Sequence, residues 1–123
     1  MTATAVTVVI VNWNSGILLE ECLARLAQQT LLPSRVLVMD NGSTDGSAQR
    51  AQLVSGVTVR MLGVNLGFAA ANNVALGECD TDVVALLNPD AFPEADWLMH
   101  LVRAARTYPD VAAFGERQMM NGF

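Results

Sequence analysis

Three polar clusters carry the chemistry this chain is able to offer, and each follows a short apolar run. Residues 6–11 lead into Asn12-Trp13-Asn14-Ser15-Gly16, residues 36–39 into Asp40-Asn41-Gly42-Ser43-Thr44-Asp45, and residues 83–87 into Asn88-Pro89-Asp90. The Asp40 carboxylate suits a nucleobase N–H or a ribose hydroxyl; equally, Asp, Asn, Gly, Ser and Thr are ordinary turn and cap residues. On local chemistry these two readings of Asp40 stand even, while Thr44 and Asp45 read as helix caps. A carboxylate leaving a buried strand at Asp90, with an oxygen donor two residues earlier at Asn88, suits Mg²⁺ or Mn²⁺. Such ions take one or two carboxylates and complete their shell with phosphate oxygens and water. Alone, Asn88-Pro89-Asp90 reads first as a strand-ending turn; a place on the same edge as Asp40 strengthens the metal reading.

Two further segments belong beside these. Asn65-Leu66-Gly67 precedes a helical stretch whose first N–H groups would face an anion. Lys is absent from the chain, so there is no Walker A motif, and strand one leads to Asn14-Ser15-Gly16 rather than to a Gly-x-Gly-x-x-Gly fingerprint. Trp13 either stacks on a base or packs in the core, packing being the commoner fate of an aromatic. His100 is expected on a helix surface and is given no role.

The elements that position these clusters follow from the apolar pattern. Val-, Ile- and Leu-rich runs of four to six residues read as buried strands. Strands are expected at 6–11, 35–40, 57–62, 82–87 and 111–114. Helices are expected from an Asn14 or Ser15 cap to about Gln29, from a Thr44 or Asp45 cap to about Val54 with Gly56 as the stop, over 68–78, and over 96–107. The alternation βαβαβαβαβ with right-handed crossovers gives an α/β fold, a doubly wound and mostly parallel sheet with helices on both faces. Ligands of such sheets bind outside the carboxyl ends of the strands, where all these loops gather.

Composition narrows the partners. The 123 residues suit one domain, 1–123, and 52% of them are hydrophobic against 15% charged. Apolar surface is therefore expected to lie under helices or against another segment or subunit. Net charge is −5 and all seven basic residues are scattered Arg, so there is no footprint for nucleic acid. A divalent cation would bridge such a chain to a nucleoside diphosphate. No apolar run is long enough for a transmembrane segment, and the amino terminus has no basic region of a secretion signal. Cys22 and Cys79 read as reduced thiols.

Together, Val8-Val9-Ile10-Val11-Asn12-Trp13-Asn14, Val38-Met39-Asp40-Asn41-Gly42-Ser43-Thr44-Asp45-Gly46-Ser47, Asn65-Leu66-Gly67-Phe68-Ala69-Ala70-Ala71-Asn72-Asn73 and Leu86-Leu87-Asn88-Pro89-Asp90 resemble the amino-terminal, donor-binding half of family-2 inverting glycosyltransferases of the GT-A fold. The rhamnosyltransferase-like branch is the nearest in pattern. The resemblance implies that Val11, Asn12 and Trp13 line a base pocket and that Asp40 hydrogen-bonds the base. It implies that Asn65, Gly67 and Asn72 shape the ribose and diphosphate region. Asn88 and Asp90 stand at the family's Asp-x-Asp motif, with Asp90 the metal ligand for Mg²⁺ or Mn²⁺; Asn replaces Asp at the first position. The implied partners are a nucleoside-diphosphate sugar and, in a full enzyme, a saccharide or lipid-linked acceptor, in cell-wall or polysaccharide synthesis. The implied place is the cytoplasm, at the inner face of the membrane for the full enzyme.

The resemblance also implies a general base beyond Phe123, so the chain by itself is expected to transfer no sugar and to self-associate through an uncovered face and the edge near 111–114. Two other readings stand beside it. One is a nucleotide-binding or assembly module without chemistry of its own. The other is a dinucleotide-dependent oxidoreductase, which fits the βα alternation but not the glycine pattern.

Overall fold

The computed structural model describes residues 5–107 and the backbone of 113–115. Five strands form one sheet: β1 (Val6–Asn12), β2 (Arg35–Asp40), β3 (Val57–Met61), β4 (Val83–Leu87) and β5 (Ala113–Gly115). Their order is β3-β2-β1-β4-β5, and every neighbouring pair is parallel. The helices between them are α1 (Ile17–Leu26), α2 (Ser47–Ala51), α3 (Phe68–Glu78) and α4 (Trp97–Thr107). β1 is buried from end to end, which is why its sequence is apolar at every position but Thr7 and the terminal Asn12 instead of alternating.

Alternate residues of the central strands feed two cores. Val6, Val8 and Ile10 of β1, with Val36, Val38, Ala85 and Leu87, face α1, α2 and α4. Val9 and Val11, with Leu37 and Met39, face α3 through its Ala71 and Ala75. Those two alanines let the α3 backbone lie close to the sheet. Glu78 at the other end of α3 is tied to Arg60 at 2.7 Å, and its carbonyl accepts from Arg35 at 3.2 Å.

Several boundaries differ from the sequence expectation for identifiable reasons. Neither Asn14 nor Ser15 caps α1; Gly16 holds the N-cap position. The Asn14 side chain is turned instead to the Thr44 N–H, at 2.8 Å, with Asn14 in a left-handed conformation (φ 49°). α1 ends at Leu26, and i→i+3 bonds carry the turn through Gln29. α2 is only five residues long, extended by similar turn bonds to Val54. Thr44 does not cap it, whereas Asp45 accepts the Ser47 N–H at 3.0 Å from one residue before the N-cap Gly46. β3 forms the sheet edge, so its pattern is half-buried and exposed throughout. Asp82 lies outside β4, where its carboxylate accepts the Ala5 N–H. In β5, positions 111 and 112 of the expected strand lie outside the described residues. Among the described residues no disulfide joins the two cysteines, Cys22 being buried and Cys79 half-buried; burial pushes the Cys79 thiol up. His100 is exposed on α4, with Nε2 3.5 Å from Asp96.

Candidate functional site

All strands run in one direction, so Asn12, Asp40 and the Asn88-Pro89-Asp90 turn leave the same edge of the sheet. β1 lies between β2 and β4, and chain progression reverses there: β2 and β3 lie to one side, β4 to the other. That reversal is the switch point at which open α/β sheets form a ligand crevice. Asn12 and Asp40 are directly paired in the β1–β2 register, and Leu87 pairs with Ile10 on the other side.

A buried polar knot lies beneath the crevice. Asn12 and Asp40 are both fully buried. Asn12 Nδ2 donates to Asp40 Oδ1 at 2.9 Å, with Ser47 Oγ at 2.9 Å and Ser43 Oγ at 3.2 Å also in reach. Asp40 Oδ2 accepts the Ser43 N–H at 3.0 Å. Both carboxylate oxygens are thus engaged internally, and a contact between Asp40 and a base requires one of these bonds to give way. Asn12 Oδ1 is the one buried side-chain polar atom without a partner among the described residues, a feature that buried amides avoid unless a ligand or water supplies the donor.

The loops above the knot are laced together. Ser43 Oγ accepts the Asn14 N–H at 2.9 Å, and Asp45 Oδ2 accepts the Gly16 N–H at 2.8 Å. The Ser47 hydroxyl donates to Asp45 at 2.6 Å and is the main reason its carboxyl lies below the usual range, helped by the Ser47 and Gly16 amides. On the other flank, Asn41 accepts the Leu66 N–H at 3.2 Å and donates to the Gly67 carbonyl at 3.3 Å, docking the loop before α3 onto the loop after β2. Gly42 makes that approach possible. It adopts φ +79°, and a Cβ there would stand 3.1 Å from Val64 Cα and 3.2 Å from its carbonyl carbon.

The remaining expected site residues fall on this edge with different exposures. Val11 is buried against α3, while Trp13 is 56% exposed and so is not a core aromatic. Asn65 and Gly67 are exposed at the start of α3, Asn65 Oδ1 accepting the Gly67 N–H at 2.8 Å. Asn72, one turn into α3, is buried. Asn88 is half-buried, and Asp90 is exposed with no hydrogen bond or ion pair to another described residue. The described residues contain no group of three His, Cys, Asp or Glu side chains able to cage a metal. A lone, outward carboxylate fits an ion that keeps its waters and takes its other ligands from phosphate, and it does not fit a closed structural site.

Sequence reading did not find the Ser43 and Ser47 hydroxyls around Asn12, the Asn14–Thr44 tie or the Asn41 brace. Only the density of Asn, Ser and Asp in two loops of one edge hinted at them.

A parallel sheet whose polar loops converge on the switch point defines an α/β domain with a ligand crevice at that edge, and known proteins specify which kind. The family model Glycosyl transferase family 2 matches residues 7–122. The chain belongs to that family, and its structural neighbours are GT-A glycosyltransferases. It is 37% identical over 120 residues to the N-acetylglucosaminyl-diphospho-decaprenol L-rhamnosyltransferase of Mycobacterium tuberculosis, covering 88% of this chain and 39% of that protein. It superposes on the mannosyltransferase PcManGT from Pyrobaculum calidifontis, solved with GDP-Man and Mn²⁺, with TM-score 0.75 and 29% identity over 85% of this chain and 33% of the other. The S. aureus TarS 1–349 complex with UDP shares the fold, at TM-score 0.75 and 23% identity over 85% of this chain and 33% of that one. The chain spans about two-fifths of the length of the rhamnosyltransferase it matches. No helix among the described residues is long and apolar enough to cross a membrane.

Proposed function

We propose that this chain is the donor-binding part of an inverting glycosyltransferase that moves a sugar from a nucleoside-diphosphate sugar to an acceptor hydroxyl, with Mg²⁺ or Mn²⁺ held at Asp90. The observation that carries the reading is the single edge at which the Asn12–Asp40 knot, the start of α3 and the exposed Asp90 carboxylate meet. The GDP-Man and Mn²⁺ complex of PcManGT supports it.

In this reading Trp13 offers an exposed aromatic face to the base beside Val11 and Asn12. Asp40 acts beneath the base by fixing the Asn12 amide. Asn65, Gly67 and Asn72 border the ribose and diphosphate; α3 has no acidic residue in its first turn, so no negative charge there competes with an anion. When bound, the ion offsets the charge of the leaving diphosphate. Asn88 and Asp90 would provide its protein oxygens. Asp40 and Asp45 are already engaged, so no carboxylate of the β1 and β2 loops is free to deprotonate an acceptor. We place the general base outside the described residues, a placement that rests on the family and on the two-fifths of the mycobacterial relative's length that the chain spans. A rhamnosyl donor and a lipid-linked acceptor in cell-envelope synthesis are the substrates that the mycobacterial relative suggests.

Isothermal titration of the chain with UDP, GDP and dTDP and their sugar conjugates, with and without Mn²⁺, tests the proposal. A saturable signal that grows with Mn²⁺ is expected. Tight binding of NAD with none of these nucleotides would overturn it.

A further inference from the structure

Asp90 sits on a segment without regular structure between β4 and α4, so its position depends on what grips that segment. The grip comes from a ridge along α1 and the turn that follows it. Cys22, Arg25 and Gln29 are spaced three and four apart, and so share one helical face. They meet the segment in chain order. The Cys22 thiol lies 3.7 Å from the Asn88 carbonyl, and the Arg25 guanidinium lies 5.6 Å from the Phe92 ring centre. Gln29 is 5% exposed; its Nε2 donates to the Glu94 carbonyl at 2.6 Å and its Oε1 accepts the Leu98 N–H at 3.0 Å. Thr30 adds a backbone N–H bond to the Ala95 carbonyl at 2.8 Å. One carboxamide thus closes the far end of the Asp90 segment and satisfies a free N–H in the first turn of α4 at the same time.

We propose that Gln29 is a positioning residue for the metal and diphosphate part of the donor site. By pinning residues 94 and 98 it fixes where Asp90 stands relative to β1 and β2. This rests on the donor-site reading above. Gln29 touches no ligand in this scheme; it acts through the loop, as outer-shell partners of metal ligands do.

The test measures two quantities on the 123-residue chain with UDP, GDP or dTDP, whichever binds: the Mn²⁺ midpoint at saturating nucleotide, and the nucleotide Kd at saturating Mn²⁺. Gln29→Met removes both bonds at similar volume. It is expected to raise the Mn²⁺ midpoint by about tenfold or more while the nucleotide Kd moves by less than about threefold. It should also change the electron paramagnetic resonance spectrum of bound Mn²⁺. Gln29→Glu keeps the acceptor for Leu98 but loses the donor to Glu94, and is expected to fall between wild type and Gln29→Met; it serves if Gln29→Met does not fold. Equal weakening of both quantities, or an unmoved midpoint in a chain where Asp90→Ala abolishes Mn²⁺ dependence, overturns the positioning role. Unchanged Mn²⁺ dependence in Asp90→Ala overturns the donor-site reading, and this proposal with it.

Discussion

Replacing Asp40 by Ala should damage the fold before it damages any ligand contact. The side chain is fully buried and accepts two hydrogen bonds, from Asn12 Nδ2 at 2.9 Å and the Ser43 N–H at 3.0 Å. After truncation the Asn12 amide keeps Ser43 Oγ and Ser47 Oγ within reach, so only the Ser43 N–H is fully orphaned. A lost hydrogen bond to a charged group costs about 1.5–3 kcal/mol, and an orphaned buried donor about 1–3 kcal/mol, the two overlapping in part. A net loss of about 2–4 kcal/mol follows, a large share of the roughly 5–15 kcal/mol that holds a domain folded. At about 4 °C per kcal/mol for a chain of this size, Tm should fall by roughly 8–16 °C. Differential scanning calorimetry measures it directly, with urea unfolding as a second probe. A Tm within about 2 °C of the parent would refute the reasoning, because it would mean the knot contributes no net stability.

Other variants separate local causes. Gly42→Ala and Gly46→Ala both place a side chain at positive φ, but at Gly42 the Cβ would meet the Val64 backbone, whereas at Gly46 it would meet only the flexible end of the Arg50 side chain. Urea unfolding should therefore rank Gly42→Ala clearly below Gly46→Ala; equal losses would contradict the close approach. Asp90→Ala should leave the melting temperature unchanged and remove Mn²⁺-dependent nucleotide binding, both readable in one calorimetric series. Asp45 has a lowered carboxyl pKa in the folded chain, so its contribution is complete above the unfolded value and is lost as pH falls through the lower folded one. Stability measured from about pH 5 down to pH 2 should show an acid-dependent loss that is smaller in Asp45→Asn. An identical acid profile in the two proteins would argue against it.

The strands and their parallel direction were legible because β1 and β2 are buried on both faces and therefore written in nearly unbroken Val, Ile, Leu and Met, with the buried Thr7 the exception, while β4, half-buried at alternate positions, is still wholly apolar. α3 and α4 were legible within a residue for a similar reason, being bounded by Gly67 and by Pro93. The helix starts after β1 and β2 were not, since Asn14, Ser15, Thr44 and Asp45 are all good caps in isolation. What decides among them is tertiary: Asn14 faces Thr44 and Asp45 faces Gly16, partners some thirty residues away that no local pattern reveals. Residue type and position placed Asp40 and Asp90 on one edge. It could not distinguish a carboxylate engaged beneath the floor of a site from one open to solvent, because that depends on which donors the neighbouring loops bring. Trp13 shows the same limit, its exposure fixed by the end of β1 and not by its own apolarity.

The bonds beneath the crevice also have a kinetic and practical meaning. Asn12 meets residues 28 to 35 positions later, Asn14 and Gly16 residues 29 positions later, and Asn41 a residue 25 positions later. None of these closures is local, so none persists in a chain whose first three strands have not paired, and loop closure over such lengths is slow to be repaid. A partly folded chain then has no fragment of the crevice with which to hold a ligand. Whatever binds this edge binds the native state alone and draws the whole unfolding equilibrium toward it, by about 2.7 kcal/mol at a hundredfold excess over Kd. A panel of nucleotides ranked by thermal shift would consequently read out the crevice's preference without any acceptor, any turnover or any knowledge of the sugar.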